Sequence, residues 1–265
     1  MKSMMMGALV FWPAICGAAV RSGNAEVEWL AAGGGWRPGE EVRTAIRMKL
    51  DRGWHTYWTN PGDGGMKLSV TWRLPDGWVA GEVGHPVPMR FMTGDLPGFG
   101  YEGEVWFPVV LTPPDAGEGA ADLEAELSWL TCDDSACVPG DAVVSLTLAA
   151  GGPVAGEDAA AIDAAQARLP GPLAGAVLEV AEKEGSLELR VGWPAGAPFD
   201  LAGAAVFPET PQVVDAGAEI RFVESGAGWS ANVAKSEYAA TPVRELSLVL
   251  AGGDGKAVRL MWQAP

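Results

Sequence analysis

The sequence predicts an all-β protein of two tandem β-sandwich domains joined by a linker with one short helix. Three observations carry this prediction. Short runs of alternating apolar and polar residues recur along the chain, as half-buried strands require. The 36 Gly and 20 Pro residues punctuate those runs with turn signals. The 265 residues also exceed the ~100–150 typical of one domain, so two domains are expected.

Residues 26–149 are expected to form the first domain. Glu41 to Leu50 places Val42, Thr44, Ile46, Met48 and Leu50 on one face. Lys67 to Trp72 turns Leu68, Val70 and Trp72 inward, and Glu104 to Leu111 follows. Leu123 to Leu130 alternates Leu123, Ala125, Leu127 and Trp129; Ala142 to Leu148 does the same with Val144, Leu146 and Leu148. Asn60-Pro61-Gly62-Asp63-Gly64-Gly65, Pro75-Asp76-Gly77 and Pro113-Pro114-Asp115 are the turns between them. Antiparallel strands of this length and spacing suit a sandwich.

Residues 150–175 break the pattern. Gly151-Gly152-Pro153 opens the stretch and Pro170-Gly171-Pro172 closes it. Between them Glu157 to Leu169 is Ala-rich, with Ile162, Ala165 and Leu169 at helical spacing. Residues 176–265 return to strands, expected at 176–180, 187–191, 204–207, 219–223, 246–250 and 258–262. This second domain holds no Cys and no His, and its expected part is to support the first.

The N-terminus predicts export. Lys2 precedes an apolar run from Met4 to Ile15, and Gly17-Ala18-Ala19 offers cleavage after Ala19. Gly23-Asn24-Ala25 offers a later site, so the signal spans residues 1–19 or extends to 25. Bulky Ile15 before Cys16 argues against lipidation, which takes a small residue there. No later run is long and apolar enough to span a bilayer, so stable membrane insertion is not expected. The 34 acidic residues against 18 basic ones give a net charge of −16, which argues against nucleic-acid binding and docking on anionic lipid.

Removal of the signal leaves two cysteines, Cys132 and Cys137, across the short polar loop Asp133 to Ala136. Facing positions on antiparallel strands lie ~4.5–5.5 Å apart, inside the ~4.4–6.8 Å that a disulfide spans. Closing a ring this short stabilises the fold by only roughly 2 kcal/mol. A bond at a loop tip is open to a foreign thiolate, as exchange requires. From these residues alone, a structural staple and an exchanging pair stand equal. Asp133 and Asp134 disfavour a thiolate beside them, which suits a disulfide reduced by a more reactive partner.

A set of motifs then resembles the N-terminal periplasmic domain of the DsbD family, including its ScsB-like branch. They are Gly53-Trp54-His55-Thr56-Tyr57-Trp58, Asn60-Pro61-Gly62-Asp63-Gly64-Gly65, Trp72-Arg73-Leu74-Pro75, Gly100-Tyr101-Glu102-Gly103-Glu104-Val105, and Trp129-Leu130-Thr131-Cys132 through Cys137-Val138-Pro139-Gly140. They fall in the family's order over most of residues 26–149. Ala205-Val206-Phe207-Pro208-Glu209 resembles the second β domain of ScsB-like members. The resemblance implies an immunoglobulin-like domain acting as a periplasmic thiol–disulfide oxidoreductase, with a redox-active disulfide and no other cofactor. It implies Cys132 and Cys137 as the redox pair, Cys137 facing the partner. Phe99, aided by Tyr101, is implied as a cap over the disulfide. Implied partners are thioredoxin-like periplasmic proteins and a membrane thiol transporter. The four-residue cysteine spacing departs from the five of the best-known members, and the sequence lacks their transmembrane and thioredoxin domains.

Two further constellations stand out in the sequence. The cluster Trp54, His55, Tyr57 and Trp58 reads first as core, because aromatics dominate cores. His55 reads as a structural residue. His85, Met89 and Met92 are candidate Cu(I) ligands by softness, although Met commonly fills gaps in cores. The rival functions are therefore a non-catalytic binding module with a structural disulfide, and a copper-handling protein.

Overall fold

A computed structural model describes residues 17–152, 155–226 and 228–265. Cys16 and residues 1–16 of the expected signal peptide lie outside them. The N-terminal part contains β1 (Val20–Ser22), β2 (Ala25–Ala31), β3 (Gly35–Trp36), β4 (Val42–Leu50), β5 (His55–Gly62) and β6 (Ser69–Arg73). It continues with β7 (Val79–Ala80), β8 (Met89–Thr93), β9 (Leu96–Glu102), β10 (Glu104–Thr112), β11 (Ala121–Cys132) and β12 (Cys137–Ala150). Helix α1 (Ala159–Ala167) follows. The C-terminal part holds β13 (Gly171–Pro172), β14 (Val177–Lys183), β15 (Ser186–Gly192), β16 (Ala205–Pro208), β17 (Val223–Ser225), β18 (Gly228–Ala234), β19 (Glu245–Ala251) and β20 (Ala257–Gln263).

Two sheets enclose the N-terminal core. One runs β1-β2-β4-β10-β7, and the other β3-β12-β11-β5-β9-β8, with β6 also on β11. Alternation explains the packing. On β4, Val42, Thr44, Ile46, Met48 and Leu50 are all buried, while Arg43 and Lys49 face out. From the opposing sheet come Leu123, Ala125, Leu127 and Trp129 of β11 and Val144, Leu146 and Leu148 of β12. Each fully buried Leu or Val side chain contributes about 1.5–3 kcal/mol to this core.

Strand β11 has two neighbours in succession on one edge. β6 pairs along Glu124 to Ser128, and β5 takes over at Thr131 and Cys132. That handover sets His55 directly opposite Cys132.

The C-terminal part forms two further sheets, β13-β20-β19-β16 and β14-β15-β18-β17, around a second core that includes Leu187, Leu189, Leu246, Leu248 and Leu250. The two parts are packed together. Phe207, Ala216 and Val249 join the N-terminal core. Phe207 meets Trp58 and Phe99 edge-on, at centroid distances of 6.3 and 6.2 Å. Arg90 of β8 stacks over Phe99 at 4.8 Å and Phe207 at 5.8 Å. The same guanidinium donates to the carbonyls of Ala216 and Val206. Buried Asn60 donates to the Pro208 carbonyl at 2.7 Å.

The segment read as a linker is also docked. Ile162 of α1 is buried with Leu30, Ala32 and Ala45, and Asp163 pairs with Arg43.

His85 sits near this junction, with its ring 5.4 Å from Phe107. Its Nδ1 is buried without a hydrogen-bond partner among the described residues. Burial, then Lys67, holds the imidazole down at about 4 from its ordinary 6.5. The unfolded chain therefore takes up this proton first as pH falls. The folded state is penalised from about pH 6.5 down to about pH 4, and no further below. The full penalty is about 3 kcal/mol. Denaturant titrations at pH 7 and pH 4 should show His85→Leu losing about that much less stability than the parent over this window.

Candidate functional site

The cysteines lie where their hairpin predicts. β11 ends at Cys132 and β12 begins at Cys137, and the two are register partners. They form a disulfide, with Cα atoms 4.1 Å apart. Asp133 organises the loop between them. Its Oδ1 accepts from the backbone N–H of Ser135 at 2.7 Å and of Ala136 at 2.8 Å, and from the Ser135 hydroxyl at 2.8 Å. These bonds, led by the Ser135 backbone N–H, hold the Asp133 carboxyl below its ordinary pKa. The loop thus keeps a fixed negative charge beside the sulfurs. Asp134 is exposed next to it.

The two sulfurs have unequal surroundings. Cys137 is exposed, whereas Cys132 is 0% exposed. The Tyr57 hydroxyl donates to Cys132 Sγ at 3.0 Å. His55 and Tyr57 share one face of β5, and Thr56 and Trp58 turn to the other, by the two-residue period of a strand. The aromatic run expected as core is therefore split. Trp58 is fully buried against Phe99 and Phe207, while His55 and Tyr57 lie beside the disulfide.

Phe91 of β8 completes this cluster. Its ring is 4.0 Å from His55 and 5.5 Å from Tyr57. Phe91 pairs with Gly98 and Met89 with Gly100 across β8 and β9. A Cβ on Gly98 would lie 2.6 Å from the Phe91 ring, so glycine leaves the trough in which that ring rests. Gly65 serves Tyr57 in the same way. It has φ +123°, and a Cβ there would sit 2.2 Å from Tyr57 Cε1. The Gly-rich stretch after Pro61 thus lets the chain pass directly over the tyrosine ring. Thr93, at the end of β8, lies 3.0 Å from His55 Nε2 through its Oγ1.

Phe99 and Tyr101 are placed differently from the expected cap. The segment is strand rather than loop, and its alternation turns Gly98 and Gly100 towards the disulfide face and Phe99 and Tyr101 towards the core. Phe99 is 0% exposed, between Trp58, Phe207 and Arg90. Tyr101 is buried against Phe107, and its hydroxyl donates to the Pro86 carbonyl at 2.8 Å. The side chains that flank Cys132 are Tyr57 and His55. Their signal was available in the sequence, as polar-tipped aromatics two apart in a strand that alternates with Trp58.

The candidate copper ligands are not brought together. Met89 and Met92 are three apart on β8 and so face opposite sides of the sheet, and His85 rests on Phe107. Among the described residues no three His, Cys, Asp or Glu side chains cluster as a metal site, and no helix is long and apolar enough to cross a membrane.

Electrostatics near the disulfide follow from burial. Burial pushes the His55 imidazole below its ordinary value, opposed by the carboxylates of Glu102, Asp134 and Asp133. Burial pushes the Tyr57 hydroxyl up, opposed by a hydrogen bond with Thr93. At neutral pH the tyrosine therefore keeps its proton and remains a donor to sulfur.

The fold is similar to that of a solved periplasmic domain. The N-terminal periplasmic domain of ScsB from Proteus mirabilis superposes with a TM-score of 0.68 at 22% identity, over 91% of this chain and 93% of that one. A protein of unknown function from Porphyromonas gingivalis W83 has a TM-score of only 0.26 at 13% identity, over 91% and 100% of the two chains. The sporulation control protein Spo0M from Bacillus subtilis reaches 0.25 at 11% identity, over 91% of each. No curated protein matched the chain. Residues 28–149 match the family described as thiol:disulfide interchange protein DsbD, N-terminal, a match that takes in β5, β8, β9 and both cysteines. Over those residues, just under half of the chain, the sequence is similar to the DsbD N-terminal domain family.

Proposed function

We propose that this is a periplasmic thiol–disulfide exchange protein. It carries electrons between a thioredoxin-like or membrane donor and periplasmic thiol proteins through the Cys132–Cys137 bond, with no other cofactor. The observation that carries this reading is the asymmetry of the pair: one sulfur is exposed on the hairpin and the other is buried under a hydroxyl donor. A staple needs neither property. In exchange, the exposed Cys137 Sγ takes the incoming thiolate. The bond to Cys132 breaks, and Cys132 leaves with the electron pair as a thiolate beside Tyr57. In the reverse direction Cys137 attacks an oxidised partner, and Cys132 then displaces that partner from Cys137.

Export is supported by the apolar N-terminus and by the ScsB relative, which is itself a periplasmic domain. Cleavage after Ala19 leaves β1 whole, with Val20, Arg21 and Ser22 paired to Val27, Glu26 and Ala25. Cleavage after Ala25 removes β1, so the earlier site is favoured.

The test is direct transfer. Mixing the oxidised protein with an equal amount of reduced thioredoxin, followed by acid quench and thiol alkylation, should show Cys132 and Cys137 modified within minutes. A pair still fully oxidised after hours with excess reduced thioredoxin overturns the proposal.

A further inference from the structure

We infer that Thr93 and His55 are positioning residues that aim the Tyr57 hydroxyl proton at Cys132, and so select Cys132 as the leaving sulfur. The inference rests on the exchange reading above. A disulfide sulfur carries no hydrogen, so at the 3.0 Å contact with Cys132 Sγ the Tyr57 hydroxyl must donate. That spends its only proton, and its oxygen can then only accept. The Thr93 hydroxyl reaches the same tyrosine oxygen and supplies the donor. With its own proton spent, Thr93 Oγ1 accepts from the group 3.0 Å away, which is His55 Nε2–H. The order His55 to Thr93 to Tyr57 to Cys132 therefore has one self-consistent direction, and the imidazole starts it as the Nε2–H tautomer.

Every other group around the chain holds it in place. Phe91 packs on both aromatic rings, and Gly65 lets the backbone press on Tyr57. Glu102, Asp133 and Asp134 are the charged groups that face His55. Arg90, two residues before Phe91's neighbour Met92, ties β8 to the carbonyls of Val206 and Ala216. The strand that presents Thr93 is thus anchored by the C-terminal part.

The chemical consequence falls on one sulfur. When a partner thiolate bonds to Cys137 Sγ, the electron pair of the broken bond stays on Cys132 Sγ. The new thiolate accepts the Tyr57 proton as a hydrogen bond, and the tyrosine keeps it covalently. A hydrogen bond to the charged form lowers the pKa of the group that accepts it, and a lower leaving-group pKa speeds exchange. Cys137, in the solvent and beside two aspartates, receives no such help.

The experiment titrates Cys132 alone, as thiolate absorbance near 240 nm, in the Cys137→Ser protein. It also follows reduction of the intact disulfide by dithiothreitol. Neither readout needs a natural partner, so failure here is separable from failure of the exchange reading. Tyr57→Phe should raise the Cys132 pKa by about one unit and slow reduction by roughly threefold. Thr93→Val should move both in the same direction by about half as much, Thr93→Ser should restore them, and His55→Gln, which keeps a donor, should stay near the parent. A side chain needed only for packing would alter melting temperature without moving the pKa. If Thr93→Val leaves the Cys132 pKa unchanged while Tyr57→Phe raises it, the positioning role is wrong. If Tyr57→Phe leaves it unchanged, the whole chain of donors is wrong.

Discussion

Cys132→Ser should convert the protein into a trap for its partners, and Cys137→Ser should capture none. With Cys132 replaced, the exposed Cys137 thiol still attacks a partner disulfide, but the sulfur that would displace the partner is gone. With Cys137 replaced, the remaining thiol is 0% exposed and lies against Tyr57. Access dominates the exchange rate here, outweighing the thiolate character that the Tyr57 contact lends to Cys132. Cys137 in Cys132→Ser should therefore react with glutathione disulfide on the order of 100-fold faster than Cys132 in Cys137→Ser. Mass spectrometry of the adducts after acid quench checks it. Either single variant should lose catalytic turnover almost completely, because each removes half of the only described disulfide. Equal reactivity of the two thiols would contradict the asymmetry on which the mechanism depends.

The second large effect is on stability, at a residue with no side chain. Gly100 of β9 pairs with Tyr57 of β5. A Cβ there would stand 1.8 Å from the Thr56 carbonyl oxygen and 2.9 Å from Phe91 Cε1. The first obstacle is backbone, which no rotamer change relieves. β5 and β9 must separate, and overpacking of this kind costs about 3 kcal/mol or more. Gly100→Ala should lower the melting temperature by roughly 6–12 °C on the scale of a chain this size. It should also disturb Tyr57 and so slow exchange. Gly171→Ala is the control, because nothing lies within 4 Å of a Cβ there and its φ is not in the left-handed region. It should stay within about 0.5 kcal/mol of the parent. A Gly100→Ala protein as stable as that control would mean that β5 and β9 are not held at this distance.

The cysteine hairpin was legible in the sequence because two strong alternating runs converge on it. Strands β4, β10, β11 and β12 were legible for the same reason. The sheet region beside the cysteines was harder to read. From Pro86 to Gly103 the chain is dense in Pro and Gly, which signals loop, yet β8 and β9 form there. Gly98 and Gly100 are not turn residues in this place. They are the floor under Phe91, a requirement that arises only when two distant segments meet. The family resemblance is what implied Phe99 as a cap over the disulfide. As a strand, its period of two sends Phe99 to the core. Strand β18 was missed although Trp229, Ala231 and Val233 alternate with Ser230 and Asn232, because the small Ala231 leaves its inward face only weakly apolar. Conversely, residues 219–223 were expected as strand, and Ile220 and Phe222 are indeed buried, but pairing begins only at Val223. Tyr57 was visible as a residue and invisible as a site, because its partner sulfur lies 75 positions away in sequence.

The reduction potential of the Cys132–Cys137 bond tests the central claim most directly. It is obtained by equilibrating the protein in dithiothreitol and glutathione redox buffers and counting free thiols after quench. Exchange predicts a value above about −300 mV, where thioredoxin-fold proteins can both reduce the bond and be reduced by the dithiol. A value clearly below about −300 mV would identify a structural bond and contradict the account.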